Sequence, residues 1–221
     1  MGLNKATLSA QIYQILREDI LSQKILPGEK LTLKSLQERF QVSSTPIRDA
    51  LTRLNEEGLV TYYSNIGVNV ICLTKRDLEE LYQFMGDLDS LSILYASAFP
   101  YQDEICRKLK DNILKTSVVL EKDTLSGAEM RKWISASDNF HLIFYDYCGN
   151  SRLTHAAERL RSQLTIYSSS YEKEIGPQRQ IFEEHKKIWE TYERKDYSTA
   201  ASLMKTHLFH SLAYTQKEKI L

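Results

Sequence analysis

The segment from Val42 to Val60 most constrains what this chain can fold into. Its sequence, VSSTPIRDALTRLNEEGLV, describes a polar turn, a helix, a stop and the start of a strand. A serine hydroxyl can accept an unpaired N–H of a first helical turn, and proline suits that turn because its missing N–H costs nothing there. Ser43 and Ser44 are therefore N-cap candidates ahead of Pro46. Gly58 is well placed to end the helix in a left-handed conformation.

A second short helix precedes this one. Leu33–Phe40 has the composition of a helix, Thr32 is a candidate N-cap, and only Gln41 and Val42 separate it from the polar turn. Two short helices joined by three or four residues form a helix-turn-helix motif. The sequence therefore predicts that the helix beginning near Ser43 is the second helix of such a motif.

A predicted hairpin follows the two helices. Residues 59–63 and 68–73 are strand-like, and residues 64–67 between them contain the Asn and Gly that are typical of a tight turn. Residues 29–32 are a candidate for a short strand beside this hairpin. A hairpin attached to a helix-turn-helix forms a wing, and the winged helix-turn-helix is a DNA-binding shape.

These motifs also carry a family resemblance. The string PGEKL…LQERFQVSSTPIRDALTRLNEEGLV…GVNV closely resembles the N-terminal domain of GntR-family bacterial transcription regulators. It matches that family's PG turn, its VS-x-TP-[VI]-R-[ED]-AL core, its GLV strand and its wing glycine. The resemblance covers roughly residues 8–73 and implies a double-stranded DNA operator as partner.

The resemblance also implies which residues contact DNA. The family commonly has Arg at the positions of Ser44 and Lys34, whereas Arg48 is retained here. Because arginine can bind guanine O6 and N7 with two hydrogen bonds, Arg48 is the candidate for direct base readout. Ser44 can supply one hydrogen bond to a base or a phosphate. The remaining expected contacts are to phosphates and the minor groove, from Lys34, Ser43, Thr45 and the wing-tip Gly67.

Composition places the chain among ordinary globular proteins. Apolar residues make up 42% and charged residues 26% of its 221 residues, and no apolar run approaches the roughly 20 residues needed to cross a bilayer. The first residues lack the apolar stretch of a signal peptide. Cys72, Cys106 and Cys148 are isolated, which argues against a disulfide framework or a CxxC metal site. We expect a cytoplasmic protein without a membrane partner.

The net charge gives a weaker indication of DNA binding than the motifs do. The formal net charge is zero, but residues 1–75 hold nine Lys or Arg against seven Asp or Glu, a net charge of +2. A winged helix needs basic groups near phosphates rather than a basic chain as a whole. So small a charge predicts modest non-specific affinity, and therefore a homodimer for tight binding to a near-palindromic site.

The rest of the chain is predicted to be helical. A capping-box pattern at residues 74–77 opens this region, so we expect domains at residues 1–74 and 75–221. A second capping box at residues 126–129 begins a helix that is expected to run to Cys148, where Gly149-Asn150 stops it. Gly176-Pro177 is expected to break a later helix, and the last two helices are predicted at residues 181–194 and 198–217. The predicted fold class is mostly α, with a winged helix-turn-helix followed by a bundle of about six helices.

This half resembles the effector-binding domain (FCD) of the FadR-type branch of the family. The matching motifs are FH-x-x-[IL] at residues 140–143, GN at 149–150, EH-x-x-I at 184–188 and M-x-x-HL at 204–208. The resemblance implies a helical domain that dimerises and binds a small-molecule effector, expected to be a carboxylate.

Three histidines stand on the apolar faces of separate predicted helices: His141, His185 and His207. Burying a polar nitrogen without a partner is costly, so three histidines aimed into one core need partners. A divalent metal ion such as Zn or Ni would satisfy all three, since imidazole suits such ions. The alternative is three core histidines that hydrogen-bond to Tyr, Ser or carbonyl groups.

The resemblance adds ligands to this hypothesis. Members of the branch often bind a metal through these histidines, with the effector's carboxylate completing the coordination, and their fourth ligand is an Asp four residues before the first His. Here that position is Ser137, and the acid stands at Asp138, which still shares a helix face with His141 and is the possible fourth ligand. Met85 also replaces an Arg that often binds the effector. His155 and His210 lack the motif context.

Two classes of function follow. The leading hypothesis is a transcription regulator and not an enzyme: a dimer in which an effector, most simply a carboxylate, shifts the spacing of two winged heads. The alternative is a metal-dependent enzyme that uses the three-histidine site. Against the alternative, the sequence shows no general base such as the Glu of an HExxH helix.

Overall fold

The computed structural model describes residues 7–63, 67–122, 124–168 and 175–217, and its contacts divide the chain into two compact units, residues 1–73 and 74–221. The first unit contains helices α1 (Leu8–Leu21), α2 (Leu33–Phe40) and α3 (Ser44–Glu56) and strands β1 (Lys30–Leu31), β2 (Val60–Tyr63) and β3 (Gly67–Val70). The second contains α4 (Lys75–Ser97), α5 (Gln102–Leu120), α6 (Gly127–Tyr147), α7 (Ser151–Ser168), α8 (Ile175–Glu193) and α9 (Tyr197–Lys217). The predicted fold class is confirmed.

Helix α3 has the predicted apolar face. Ile47, Ala50, Leu51 and Leu54 are buried at the helical spacing and form the centre of the first unit's core. Ser43 occupies the N-cap position with extended backbone, but its hydroxyl makes no capping hydrogen bond, unlike the expectation from sequence. Gly58 follows the helix with a φ of +81°, the left-handed conformation that was predicted.

The turn between α2 and α3 depends on Gln41. Its φ of +54° places it in the left-handed region, and its backbone N–H donates to the Gln37 carbonyl while its side chain donates to the Glu38 carbonyl. These bonds satisfy carbonyls at the end of α2, and the reversal allows α3 to begin three residues later. The short connection and its polar composition are what the helix-turn-helix pattern predicted.

Helix α1 is tied to the motif through two acidic residues, Asp19 and Glu57. The buried Asp19 accepts hydrogen bonds from Arg39 on α2 and from Lys24. Glu57, at the end of α3, accepts from the Tyr13 hydroxyl and the Arg17 Nε, each at 2.7 Å. Both acidic groups are largely shielded from solvent, so these bonds hold the three helices in a fixed arrangement.

The three strands form an antiparallel sheet in the order β1-β3-β2. Val60 pairs with Val70 and Tyr63 with Gly67 across the wing hairpin, and Lys30 pairs with Asn69 on the other side of β3. The candidate strand at residues 29–32 is therefore confirmed beside the wing. Residues 64–66, where the sequence predicted the hairpin turn, lie outside the described residues.

The second unit is helical throughout its described residues. Both capping boxes are present: the Thr74 and Ser126 side chains accept from the backbone N–H of Asp77 and Glu129, whose carboxylates accept in return. The predicted start of α8 near residue 181 was wrong, because the helix begins at Ile175. Pro177 is in its first turn, where a proline has no hydrogen bond to break. No helix among the described residues is long and apolar enough to cross a membrane.

Helix α4 presents its buried face to the bundle. Met85, Leu88, Asp89 and Ile93 are all buried, and the polar Asp89 among them has no exposed surface. Tyr95, nearer the end of the helix, is 41% exposed. The core of the bundle is therefore not purely apolar, because it includes a carboxylate on its longest helix.

The glycine after α6 provides a test of this fold. Gly149 has a φ of +64°, and a Cβ at this position would lie 2.4 Å from the Phe99 ring. We expect Gly149→Ala to lower the free energy of unfolding of the helical unit by about 1–2 kcal/mol, the cost of left-handed backbone for a residue with a Cβ. Calorimetry of the full chain measures the effect.

The matched control is Gly127→Ala, in the first turn of α6. Gly127 lacks a positive φ, and the nearest atom to an added Cβ is the flexible end of Arg131 at 3.5 Å. This substitution should leave stability unchanged or slightly raised. Equal losses from the two variants would contradict the left-handed assignment at Gly149.

Candidate functional site

The three histidines predicted from the sequence come together in the helical unit. His141 on α6, His185 on α8 and His207 on α9 are all buried, and one ligand nitrogen from each lies within 4.8 Å of the others. The Nε2 atom of His185 is 3.2 Å from that of His141 and 3.1 Å from that of His207. Three helices far apart in sequence therefore aim the same ring atom at one point.

This spacing fits a metal ion. Imidazole nitrogens bound to zinc at about 2.0–2.1 Å in tetrahedral geometry lie about 3.3 Å from one another. The two measured Nε2–Nε2 distances are close to that value. A divalent cation would accept all three lone pairs, whereas direct hydrogen bonds between the rings require a proton on one of each pair.

Carboxylates bind the outer nitrogens of two of the rings. Asp89 Oδ2 lies 2.8 Å from the Nδ1 of His141, and Glu184 Oε2 lies 2.7 Å from the Nδ1 of His207. An ionised carboxylate can only accept a hydrogen bond, so each Nδ1 is assigned the N–H and each Nε2 the lone pair. His185 is held differently, because its ring stacks on Phe140 at 4.2 Å between centroids.

Two of the rings, His141 and His185, are kept neutral by their surroundings. Burial lowers the pKa of His141 to about 4, and the nearby Arg161 adds to this effect while Asp89 opposes it. Burial and the two neighbouring histidines likewise hold the pKa of His185 well below its ordinary value. Metal ions bind neutral imidazole, so these two rings are in their ligating form near neutral pH.

Asp89 is also the acceptor of a buried ion pair. Arg161 Nη2 on α7 lies 2.7 Å from both oxygens of Asp89, and the Tyr145 hydroxyl donates to Oδ1 at 2.7 Å. Burial alone would raise the pKa of the Asp89 carboxyl, but Arg161 and His141 outweigh it and hold the pKa well below its ordinary value. Asp89 is therefore ionised and joins α4, α6 and α7.

The predicted fourth ligand, Asp138, has other partners. Its Oδ2 accepts from the Thr165 hydroxyl at 3.0 Å, and its Oδ1 lies 3.6 Å from Arg161 Nη1. The ligand cluster of the described residues consists of the three histidines without it. Coordination by Asp138 stays a prediction that requires the side chain to leave Arg161.

A small cavity adjoins the histidines. Its volume is about 60 Å³, and its lining includes Ser137, His141, Arg161 and His207. Ordinary ligand pockets measure roughly 300–1,000 Å³, so this cavity holds a few water molecules or a ligand of few atoms. Met85, which replaces the expected effector-binding Arg, is fully buried.

Two further histidines, His155 and His210, were not predicted to be metal ligands. His155 is exposed, as expected for a residue outside the motifs. His210 is partly exposed, and its Nδ1 lies 2.7 Å from Glu184 Oε1, so it shares the carboxylate that binds His207. Sequence reasoning assigned no role to Glu184, Asp89 or Arg161. The available signal was Asp89 itself, a charged residue one turn after Met85 on an apolar helix face.

In the first unit, the predicted DNA-contacting side chains lie on the surface. Arg48, Thr45 and Ser43 are exposed at the start of α3, Lys34 is exposed on α2, and Ser44 is partly buried. Gly67 is exposed at the first position of β3, with a φ of +113°.

The basic residues of this unit differ in their availability. Arg17 and Arg39 form ion pairs, and Arg53 stacks on the Tyr13 ring at 3.9 Å. Arg48 and Lys34 make no ion pair with any residue in the part of the chain that the structure describes. Their positive charges are therefore free to meet an external anion.

Comparison with known families decides the identity. The model of the family described as "Bacterial regulatory proteins, gntR family" matches residues 8–70, and the FCD domain model matches residues 80–210. The chain belongs to the GntR family. Its two matched regions fall within the two structural units, one in each.

GntR-family relatives resemble this chain over most of its length. An HTH-type transcriptional regulator of Bacillus subtilis, YdhC, is 25% identical over 90% of this chain and 87% of its own. The HTH-type transcriptional repressor RspR of Escherichia coli is 23% identical over 91% of this chain and 86% of its own. Both are described as regulators of transcription, so the predicted absence of enzymatic activity is confirmed and the enzyme alternative has no support.

Solved structures show the same fold. E. coli McbR/YncC superposes with a TM-score of 0.76 at 20% identity, covering 96% of this chain and 99% of that one. A GntR regulator from Rhodococcus sp. RHA1 gives a TM-score of 0.70 at 18% identity, covering 95% and 97%. At these identities the similarity supports the architecture alone.

The buried ion pair yields a stability prediction. Arg161→Met should destabilise the helical unit by about 3–5 kcal/mol, because it leaves the Asp89 carboxylate buried without its cation. The double variant Asp89→Asn, Arg161→Met should recover part of that loss, since no uncompensated charge remains. Urea denaturation followed by circular dichroism measures both.

Arg131→Met is the matched control, since Arg131 is an exposed arginine on α6 of the same unit. It should change stability by less than about 0.5 kcal/mol. If Arg161→Met were as stable as this control, the Asp89–Arg161 pair would not be the support that the structure indicates.

Proposed function

We propose that this GntR-family regulator binds a DNA operator through α3 and is controlled by a small carboxylate effector at a metal centre in its helical domain. The observation that carries the proposal is the convergence of three buried Nε2 atoms at metal-ligand spacing. Zinc or nickel is the expected ion, since both suit neutral imidazole. Because operators lie on the bacterial chromosome, the proposed place of action is the cytoplasm.

Operator recognition is assigned to the free surface of the helix-turn-helix. Arg48 projects from α3 away from the buried Ile47 and Leu51, and no partner in the described residues holds its guanidinium. It is the proposed base-reading residue, with Lys34, Ser43, Ser44 and Thr45 positioned for the backbone. Gly67 is proposed for the minor groove, because the absence of a side chain lets the wing approach closely.

The effector is proposed to be a small carboxylate. Three histidines leave open positions on a metal ion, and a carboxylate oxygen is a common ligand for such positions. The Arg161 Nε is buried beside the cavity without a hydrogen-bond partner, so it offers a further donor to an anion. Since the cavity is only about 60 Å³, a larger effector must move the surrounding helices, and such movement is how binding would alter the DNA-bound state.

A homodimer is proposed from an apolar strip on α4. Phe84, Leu91 and Tyr95 recur at helical spacing on α4, Phe99 follows just beyond its end, and each is between 38% and 52% exposed. The helical part of the strip, from Phe84 to Tyr95, is about 16 Å long at 1.5 Å per residue. Leu91 lies near its middle with aromatic residues at both ends, so two copies of α4 running antiparallel about a two-fold axis would cover each other's strips.

The first test concerns operator binding. Arg48→Ala should weaken binding to the selected operator by about 1–3 kcal/mol, the value of a bidentate base contact, without changing the fold. Fluorescence anisotropy with an operator selected from random duplexes measures it. Arg107→Ala, an exposed arginine on α5, is the control and should bind as the wild type does. An Arg48 variant that selects the same operator with unchanged affinity would refute the assignment.

The second test concerns the metal. Protein purified without chelators, or soaked with zinc or nickel, should contain about one ion per chain by elemental analysis, and His185→Ala should lose it. His155→Ala removes an exposed histidine and should retain it. Operator release by small carboxylates should need the ion. No stoichiometric metal in the wild type would leave three hydrogen-bonded core histidines as the correct interpretation.

The third test concerns assembly. The wild type should sediment as a dimer at micromolar concentration, and Leu91→Arg should make it monomeric by placing a charge in the middle of the strip. Leu114→Arg, at a 55% exposed leucine on α5, should remain dimeric. A Leu91→Arg dimer would place the interface elsewhere, and a monomeric wild type would end the proposal.

A further inference from the structure

We propose that Asp89 and Glu184 are positioning residues for the metal centre: they hold the His141 and His207 rings with Nε2 lone pairs facing the ion, and Glu184 supplies the negative charge that Ser137 does not. The inference rests on the proposed function, because it requires that the three histidines bind metal. It goes further by naming two residues that do not bind the ion themselves but on which the metal affinity depends.

The hydrogen bonds of the Glu184 carboxylate support the positioning role most directly. It accepts from His207 Nδ1 through one oxygen and from His210 Nδ1 through the other, each at 2.7 Å. Two bonds to separate oxygens fix the plane of the carboxylate. A carboxylate so fixed cannot accept from His207 unless Nδ1 bears the proton, so the Nε2 lone pair is committed to the inner side of the ring.

Asp89 acts on His141 in the same way and is held more rigidly. Arg161 and Tyr145 donate to its oxygens at 2.7 Å, and the His141 Nδ1 lies 2.8 Å from Oδ2. The carboxylate is therefore fixed from α7 and α6 before any ion binds. Since Asp89 is completely buried, it has no water with which to exchange these bonds.

The proton count explains why the arrangement favours an ion. With Nδ1–H donated to carboxylates, both His141 and His207 present acceptors to His185. His185 Nε2 can carry one proton, which cannot form two full hydrogen bonds. The metal-free cluster thus has more acceptors than donors, and a cation satisfies every lone pair.

Charge completes the argument. The three imidazoles are neutral ligands, and Ser137 lacks the carboxylate that the family resemblance led us to expect at its position. Asp138 faces Thr165 and Arg161. Asp89 and Glu184 each lie one imidazole ring away from the ion position. The charge of Asp89 is balanced by Arg161, whereas Glu184 pairs with histidines alone among the described residues, so its charge favours a divalent cation without occupying a coordination position. Open positions consequently remain for water or an effector.

Glu184→Gln is the primary test, since the Glu184 side chain is 20% exposed and its amide replacement should fold. Zinc affinity, measured by competition with a chromophoric chelator on the full chain, should fall by about 10–100-fold, the usual effect of losing such a partner. The visible absorption of the cobalt-loaded protein should also change, because the ring it positions shifts. The neighbouring exposed Glu183→Gln is the control and should match the wild type in both measurements.

Asp89→Asn is the second variant, with Asp87→Asn on the same helix as its control. We expect a similar loss of zinc affinity in Asp89→Asn and none in Asp87→Asn, whose carboxylate pairs with Lys205 at the surface. The thermal transition of each metal-free variant is recorded beside its affinity. If Asp89→Asn does not fold, Glu184→Gln decides alone, because it leaves the Asp89–Arg161 pair intact.

The outcomes separate this inference from the function on which it rests. A wild type that binds no zinc refutes the metal centre itself. A wild type that binds zinc, together with a folded Glu184→Gln that binds it with equal affinity and an unchanged cobalt spectrum, overturns the positioning role while the metal centre stands.

Discussion

The helical unit depends on one buried ion pair, between Asp89 on α4 and Arg161 on α7. Two buried charges are unfavourable unless they are well paired and hydrogen-bonded. Here Arg161 contacts both oxygens of Asp89, and Tyr145 and His141 on α6 use the remaining acceptor sites. Apolar packing alone could bring these helices together in several registers, but this set of bonds is satisfied in one.

The same carboxylate links stability to the histidine cluster. Asp89 fixes His141, which meets His185 and His207 from α8 and α9, and Glu184 fixes His207 from α8. Five of the helices in the described residues, α4 and α6 to α9, therefore contribute to a continuous polar network inside an apolar bundle. An ion or a ligand at its centre would contact groups from several helices at once, as expected for a site that senses an effector.

The winged unit uses its charges differently. The pairs Asp19–Arg39 and Arg17–Glu57 brace α1 against the motif, and Asp19 also pairs with the nearby Lys24. Arg48 and Lys34 are left without ion pairs among the described residues and stay at the surface. Internal bracing and the proposed recognition of DNA thus involve different basic residues, although the net charge of the chain is zero.

Sequence reasoning succeeded where the signals are local. The helix-turn-helix, the wing strands and both capping boxes depend on residues within a few positions of each other, and their side-chain preferences determine them. It failed at α8, where Pro177 was interpreted as a break although a first turn accommodates it.

Tertiary contacts were harder to predict. The histidines could be identified because apolar faces and family motifs mark them. The Asp89–Arg161 pair joins residues that are 72 positions apart. No local sequence feature indicates which of several acidic residues pairs with Arg161. The helix period places Asp138 near His141, but the position of Arg161 in space draws its carboxylate away. Both features depend on how helices pack, which the local pattern does not contain.

X-ray absorption spectroscopy of the zinc-loaded chain tests the central claim most directly, because it reports the atoms bound to the ion. The account predicts about three imidazole nitrogens at about 2.0–2.1 Å with the multiple scattering of histidine rings, together with one or two lighter oxygen ligands. His185→Ala should lower the imidazole contribution by a third or abolish binding. A spectrum with sulfur ligands, or with oxygen ligands and no imidazole scattering, would contradict it.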